Sequence, residues 1–256
     1  MIRGAITQHI DVAQVVLYAF FLFFAGLIWY LRGEDRREGY PLECEATGKK
    51  GNRNSIFIPR PKIYLRADGR ELPSPSFDED TRPINAVKAA PFAGAPLEPI
   101  GDPLLAGVGP GAYALRADET EKTNDGRDLI APLRVATNFA VASEDVNPIG
   151  FKVLGADNVR GGVVTDIWVD RGEGLLRYYE VAPRAGAAPV LLPATFANVD
   201  GRRGVIRVDA VLGEHFAKVP TTRHPDKVTL LEEEKVTAFY GAGTLYATPQ
   251  RAEPLL

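Results

Sequence analysis

Cysteine is almost missing from this 256-residue chain: Cys44 stands alone, which excludes an intramolecular disulfide and a multi-cysteine metal site and fits a reducing compartment. Histidine is nearly as scarce. His9, His215 and His224 fall into no HExxH or His-x-His arrangement, so they read as surface or packing residues, and no metal site is expected. No serine sits in a GxSxG elbow, and Cys44 has no motif that would mark a nucleophile. Gly107-Val108-Gly109-Pro110-Gly111 has the glycines of a dinucleotide loop, but Pro110 removes an amide the phosphate needs, so it reads as a turn. An excess of charge is also lacking. Lys+Arg 30 against Asp+Glu 33 gives a net charge of −3, which offers nucleic acid no general attraction. These absences point to a non-enzymatic binding or scaffolding chain.

What the chain does have is one long apolar run. From Val12 to Leu31 no residue is charged and Gln14 is the one clearly polar side chain. Twenty helical residues span roughly 30 Å, the thickness of a bilayer's hydrocarbon core. A secretory signal peptide has a shorter apolar core, and neither a basic leader nor an A-x-A cleavage site is present, so the run is expected to be a transmembrane helix. Arg32, Arg36 and Arg37 follow the span, whereas only Arg3 and the terminal amine precede it, which predicts a periplasmic N-terminus and a cytoplasmic bulk. Trp29, Tyr30 and Arg32 are the expected anchors at the headgroup level, with membrane lipid as the default neighbour.

Four regions follow: residues 1–11 as a periplasmic N-terminus, 12–31 as the span, 32–110 as an extended proline-rich surface segment, and 111–256 as a cytoplasmic domain. Eleven of the twenty prolines lie between Pro41 and Pro110, and such density forbids long helices. Ile56-Phe57-Ile58 and Lys62-Ile63-Tyr64-Leu65 are short β-prone runs inside it, so this segment should be an ordered meander that borrows its core from a partner. Further on, strands are expected at Arg134–Phe139, Gly162–Val169, Leu175–Val181, Val190–Pro193 and Gly204–Val208, spaced as in a small barrel. Thr229-Leu230-Leu231-Glu232 has the form of a capping box. It predicts a helix from about Leu230 to Ala242, with Leu231, Val236, Phe239 and Tyr240 facing inward, stopped by Gly241 and Gly243 before a β-like Leu245-Tyr246-Ala247.

One polar constellation stands out, Asp166-Ile167-Trp168-Val169-Asp170-Arg171-Gly172-Glu173 followed by Arg177. A hairpin turn at Gly172–Gly174 would gather Asp170, Glu173 and Arg177 near one strand end, where carboxylates beside an arginine can hold water and pass protons. Spacing alone favours the plainer reading, a solvated turn with an ordinary surface ion pair.

The span's end, Ala25-Gly26-Leu27-Ile28-Trp29-Tyr30-Leu31, and the following Asp35-Arg36-Arg37-Glu38-Gly39-Tyr40-Pro41-Leu42-Glu43 resemble the H subunit of the purple-bacterial photosynthetic reaction centre. Further similar stretches are Gly101-Asp102-Pro103, Gly107-Val108-Gly109-Pro110, Asn147-Pro148-Ile149-Gly150, Val164 to Asp170, Thr229 to Glu233 and Tyr246-Ala247-Thr248-Pro249, in order along nearly the whole chain. The resemblance implies one N-terminal transmembrane helix plus a mainly β cytoplasmic domain, a small PRC-type barrel, with a short C-terminal helix. It implies a non-pigmented subunit of the bacterial inner, intracytoplasmic photosynthetic membrane. Such a subunit caps the quinone side of the L and M subunits and assists proton delivery to the secondary quinone.

Bacteriochlorophyll, bacteriopheophytin, quinones and non-haem iron would then sit in partner subunits, none in this chain alone, and a cytochrome subunit is a further partner the resemblance allows. Asp170, Glu173 and Arg177 are its implied proton-path residues. Some relatives carry a histidine pair in the loop corresponding to Asn124-Asp125-Gly126-Arg127-Asp128; none is present here, and Asp125 and Asp128 are the substitutes for proton collection. The alternatives are a membrane-tethered PRC-barrel protein-binding module unrelated to photosynthesis, a soluble ribosome-maturation barrel, against which the span argues, and a tethered enzyme.

Overall fold

A computed structural model describes residues 11–44, 46–52, 55–66, 69–76, 80–183 and 187–252. The N-terminal stretch 1–10, with Arg3 and His9, lies outside them. The chain divides into two compact units, Met1–Thr81 with Phe92–Gly94, and Arg82–Pro91 with Ala95–Leu256.

The first unit is dominated by helix α1, Val12–Glu34. Its 23 residues are long and apolar enough to cross a membrane, and none of its side chains is buried within the chain. A helix that is apolar on every face and buries none of its residues within the chain is suited to a lipid or protein-lined membrane interior. Gln14, the lone polar side chain of the run, is explained by the helix start: Asp11 accepts from the Gln14 amide at 2.8 Å, and the Gln14 side chain accepts from the Asp11 amide at 3.3 Å. Two of the orphan N–H groups of the first turn are thereby satisfied.

The other end of α1 is closed by charge. Arg37 donates twice to Glu34, at 2.8 Å each, and also to the carbonyls of Ser74 at 2.6 Å and Arg60 at 3.1 Å. Lys62 donates to Glu34 at 2.7 Å. Beyond α1 come two short antiparallel pairs, β1 (Glu43–Cys44) with β2 (Lys49–Lys50) and β3 (Lys62–Leu65) with β4 (Glu71–Ser74). The β-prone Ile56-Phe57-Ile58 forms a turn instead, closed by the Ile58 amide on the Ser55 carbonyl at 2.8 Å. Pro59 and Pro61 remove the donors a ladder would need, and the turn sets Phe57 against Trp29 at 5.0 Å between ring centroids.

The second unit begins with the pair β5 (Ala86–Lys88) and β6 (Leu97–Pro99) and then builds a seven-stranded sheet. Its strands are β7 (Ile130–Pro132), β8 (Lys152–Gly155), β9 (Arg160–Asp170), β10 (Leu175–Ala182), β11 (Val190–Pro193), β12 (Asn198–Asp200) and β13 (Val205–Val208). The order is β11-β10-β9-β8-β13-β12, with β7 added to β9; β8 and β13 run parallel and all other pairs antiparallel. The core under the sheet holds Val153, Ile167, Trp168, Leu192, Ile206 and Phe216, closed by helix α2 (Leu230–Tyr246) through Val236, Phe239 and Tyr240.

Two further expectations need correction. Arg134–Phe139 is not a strand: the ladder stops at Pro132, whose carbonyl accepts from the amides of Val135 and Ala136, and a second turn follows at Phe139. A proline at that point cannot continue the pairing, and the turn frees Arg134 to reach across the sheet. Nor do Gly241 and Gly243 stop α2, which runs through Leu245 to Tyr246. They are places of close approach, since a Cβ would stand 2.5 Å from the Pro110 carbonyl oxygen at Gly241 and 2.4 Å from the Ala210 carbonyl oxygen at Gly243. The capping box at Thr229 forms as its sequence suggests, with Thr229 Oγ1 accepting from Glu232 and Glu232 accepting from the Thr229 amide. In the inward stripe Leu230 is buried, whereas Leu231 is only half-buried.

Candidate functional site

Three groupings of carboxylates in the second unit bear on the site. The first is one end of the sheet, where the β9–β10 hairpin turns. Asp170 is buried, and its Oδ1 accepts from the amides of Gly172 at 2.8 Å and Glu173 at 3.1 Å, so the carboxylate closes the turn. Glu173 is exposed at the tip. Asp170 also pairs in register with Ile130 of β7, which places the loop ending at Asp128 beside the hairpin. Arg171 fastens the two, its amide on the Leu129 carbonyl at 2.9 Å and its Nη1 on the Asp128 carbonyl at 3.2 Å. Four of the five residues expected to handle protons, Asp125, Asp128, Asp170 and Glu173, thus fall on one sheet end.

The two loop aspartates are held as anions. Asp125 accepts from Thr123 Oγ1 and from Arg127 at 2.7 Å, and the Thr123 hydrogen bond, then Arg127, keep its pKa below the usual carboxylate range. Burial pushes Asp128 up, but hydrogen bonds from Lys122 and Thr120 outweigh it and the net shift is downward. Lys227 adds a second cation 3.5 Å away. Such groups provide fixed negative charge at neutral pH.

Arg177, the fifth, is turned elsewhere. It is the extra residue of a bulge, because Leu176 pairs with Val169 and Tyr178 already with Trp168. In a regular strand neighbouring side chains point to opposite faces; two residues set against one break that rule and re-aim a side chain. Here Arg177 and Tyr178 both address Glu233 of α2: Tyr178 Oη donates to Glu233 Oε2 at 2.7 Å, and Arg177 Nη2 lies 3.7 Å from the same oxygen. Glu233 is buried, and that burial raises its pKa despite the opposing Tyr178 hydrogen bond and Arg177 charge. Tyr178 is pushed further above its ordinary range, by burial first and by the Glu233 charge second.

The third place is an ion cluster beneath β9 and β10. Arg134 Nη1 donates to Asp166 and to Glu180, both at 2.8 Å, and its Nε donates to Asp226 at 2.7 Å. Glu180 also accepts from Trp168 Nε1 at 3.0 Å and from Thr165 Oγ1 at 2.9 Å. With Asp166 and Glu180 buried, every strong partner is used, which is what a charged group taken out of water requires. The sequence reading missed Arg134, Glu180, Tyr178 and Glu233 as site residues. Two had a visible mark: Glu180 interrupts the apolar run Tyr178-Tyr179-Glu180-Val181, and Glu233 falls at the 3–4 spacing shared by Leu230, Val236 and Tyr240.

In the first unit, the expected anchors have partners of their own. Trp29 meets Phe57 with its ring tilted by 47°, Tyr30 has Lys62 Nζ 5.8 Å from its ring centre, and Arg32 is exposed in the last turn of α1. Arg36 lies 4.9 Å from the Phe57 ring centre. His215 is buried, and its Nδ1 accepts from the Leu212 amide at 3.3 Å, so it serves packing. Among the described residues no group of three or more His, Cys, Asp or Glu side chains is arranged to hold a metal ion.

Two family models match the chain. The one for the photosynthetic reaction centre H-chain N-terminal region matches residues 4–135, and the PRC-barrel domain model matches residues 141–214. Together they cover α1 and every strand of the seven-stranded sheet.

Proposed function

This chain belongs to the photosynthetic reaction centre H-chain family, and on that premise we propose that it caps the quinone side of the L and M subunits and helps deliver protons to the secondary quinone. As a member of the family it is a membrane-associated reaction-centre subunit that works with other subunits, in which the cofactors sit. The finer assignment has the N-terminus periplasmic, residues 12–31 spanning the bilayer, residues 32–110 covering partner surface and residues 111–256 in the cytoplasm. The cations Arg32, Arg36 and Arg37 after the span support that orientation. Bacteriochlorophyll, bacteriopheophytin, quinones and non-haem iron belong to the partner chains in this reading, which makes the subunit an accessory to electron transfer, without catalysis of its own. A tethered barrel unrelated to photosynthesis would leave the match over residues 4–135 unexplained.

The observation that carries the proton role is the shared sheet end. Asp125 and Asp128, kept ionised by the groups around them, are the surface carboxylates assigned to proton collection. Asp170 and Glu173 on the adjoining hairpin then pass the protons through water, while Arg177 addresses Glu233 instead. Proton-coupled reduction of the secondary quinone in the intact complex tests this. Replacing Asp170→Asn and Glu173→Gln together should slow that step at least tenfold, and unchanged kinetics would remove the pair from the path.

A further inference from the structure

Among the described residues, Glu233 is the one buried acid that combines a hydrogen-bonding tyrosine, a loosely placed arginine and a position on the inward stripe of a helix. The ion cluster beneath β9 and β10 is different, because Arg134 bridges Asp166 and Glu180 directly at 2.8 Å. At Glu233 the nearest cation, Arg177, is half-exposed and 3.7 Å away, beyond hydrogen-bond reach. The carboxylate is therefore desolvated without a full counter-charge, the condition under which an acid prefers to be neutral.

The surroundings on every side act on the same balance. From β10 come Arg177 and Tyr178; from the segment before β7 come Arg116, whose charge favours the anion, and Glu121, whose charge opposes it. From α2 itself Thr237 faces the Tyr178 oxygen, and Glu234 draws Arg116 away, at 3.7 Å from Arg116 Nη1. Burial outweighs the favourable charges, and the resulting shift is upward. The bulge at Arg177 is what makes the arrangement possible, because a regular strand would send either Arg177 or Tyr178 to the opposite face.

We propose that Glu233 is a proton-holding group of this subunit, taking one proton from water onto its carboxylate and returning it, while Tyr178 keeps its own proton and steadies the ionised form. The bond made is O–H on Glu233 and the bond broken is O–H of a hydronium or water donor, so no further reactant is needed. A role for this proton in quinone reduction rests on the delivery reading above; its presence on Glu233 does not.

Infrared spectra of the intact complex recorded across a pH series test the proposal through the carbonyl stretch of a protonated carboxyl group. Glu233→Gln should delete one such band, whose midpoint in the parent lies above the ordinary glutamate value of about 4.3. Tyr178→Phe should keep the band and move its midpoint upward, because the lost hydrogen bond favoured the anion. A spectrum unchanged by Glu233→Gln, or a midpoint that Tyr178→Phe leaves in place or lowers, would overturn the proposal. The Asp170/Glu173 double variant separates the two readings: if its quinone kinetics match the parent while the Glu233 band persists, delivery through the hairpin fails and proton holding stands.

Discussion

The two units use the same kinds of side chain to opposite ends. In α1 the large apolar residues all face outward, with Phe23 64% exposed and Leu22 81%. In the second unit Phe239 is 1% exposed and Tyr240 and Phe216 are fully covered. The first arrangement makes stability depend on what surrounds the chain; the second makes it a property of the chain itself. Polar groups divide in the same way. Around α1 they lock the helix ends, whereas in the second unit they are carried inside and must be satisfied there.

Substitution of paired residues should expose that contrast. The largest expected effect is Phe239→Ala, which empties core volume and should cost about 3–5 kcal/mol in denaturant unfolding of the detergent-solubilised chain. Phe23→Ala in the same assay should stay within about 0.5 kcal/mol; equal losses would break the comparison. Next comes Arg134→Met, which leaves Asp166 and Glu180 buried without their cation. Because the guanidinium is itself partly open to water, the expected cost is about 3 kcal/mol, the lower end for a broken buried pair. A loss of under about 1 kcal/mol would mean that water enters the cluster.

Glycine offers a sharper pair. Gly243→Ala drives a methyl into the Ala210 carbonyl and should cost about 1–3 kcal/mol. Gly26→Ala meets nothing within 4 Å and should stabilise α1 by up to about 1 kcal/mol in the isolated chain. If the same substitution weakens assembly of the complex, Gly26 is where another helix approaches.

The smallest effect concerns acid. Asp102, held low mainly by the Lys218 hydrogen bond, and Asp128 both have folded pKa values below their unfolded ones. Their contribution is present above the ordinary aspartate pKa of about 3.9 and is lost as pH falls through the depressed values. Asp128→Asn should therefore flatten the decline in stability below about pH 4 and leave its slope near pH 7 unchanged.

How much of this was legible in the sequence depended on how local the cause was. The span needed only twenty uncharged neighbours in a row, and the capping box at Thr229 only four residues. Strands β9, β10, β11 and β13 carried apolar runs bounded by turn residues, and they lie close to where the pattern put them. Arg134–Phe139 misled because Val135, Thr137 and Phe139 are β-prone residues, but Pro132 had already closed the ladder. Gly241 and Gly243 misled for a different reason: the same absence of a side chain ends one helix and lets another pack closely, and only the position of Pro110 and Ala210 decides which. The site was legible in part. Asp170 and Glu173 lie only three positions apart along the chain, so a hairpin brought them together. Arg134 meets Glu180 across 46 positions and Tyr178 meets Glu233 across 55, pairings that exist only once the sheet and α2 are folded.

The two closures of α1 have a mechanical consequence. The Asp11–Gln14 box fixes the first residue of the helix, and the Glu34, Arg37 and Lys62 lock fixes its last. Between them 23 residues rise roughly 35 Å. Neither end can unwind by a turn to suit a thinner bilayer without breaking its polar lock, so the helix acts as a gauge of set length. A membrane that does not match it must deform locally, or the helix must tilt, and the subunit will favour the membranes whose thickness already fits.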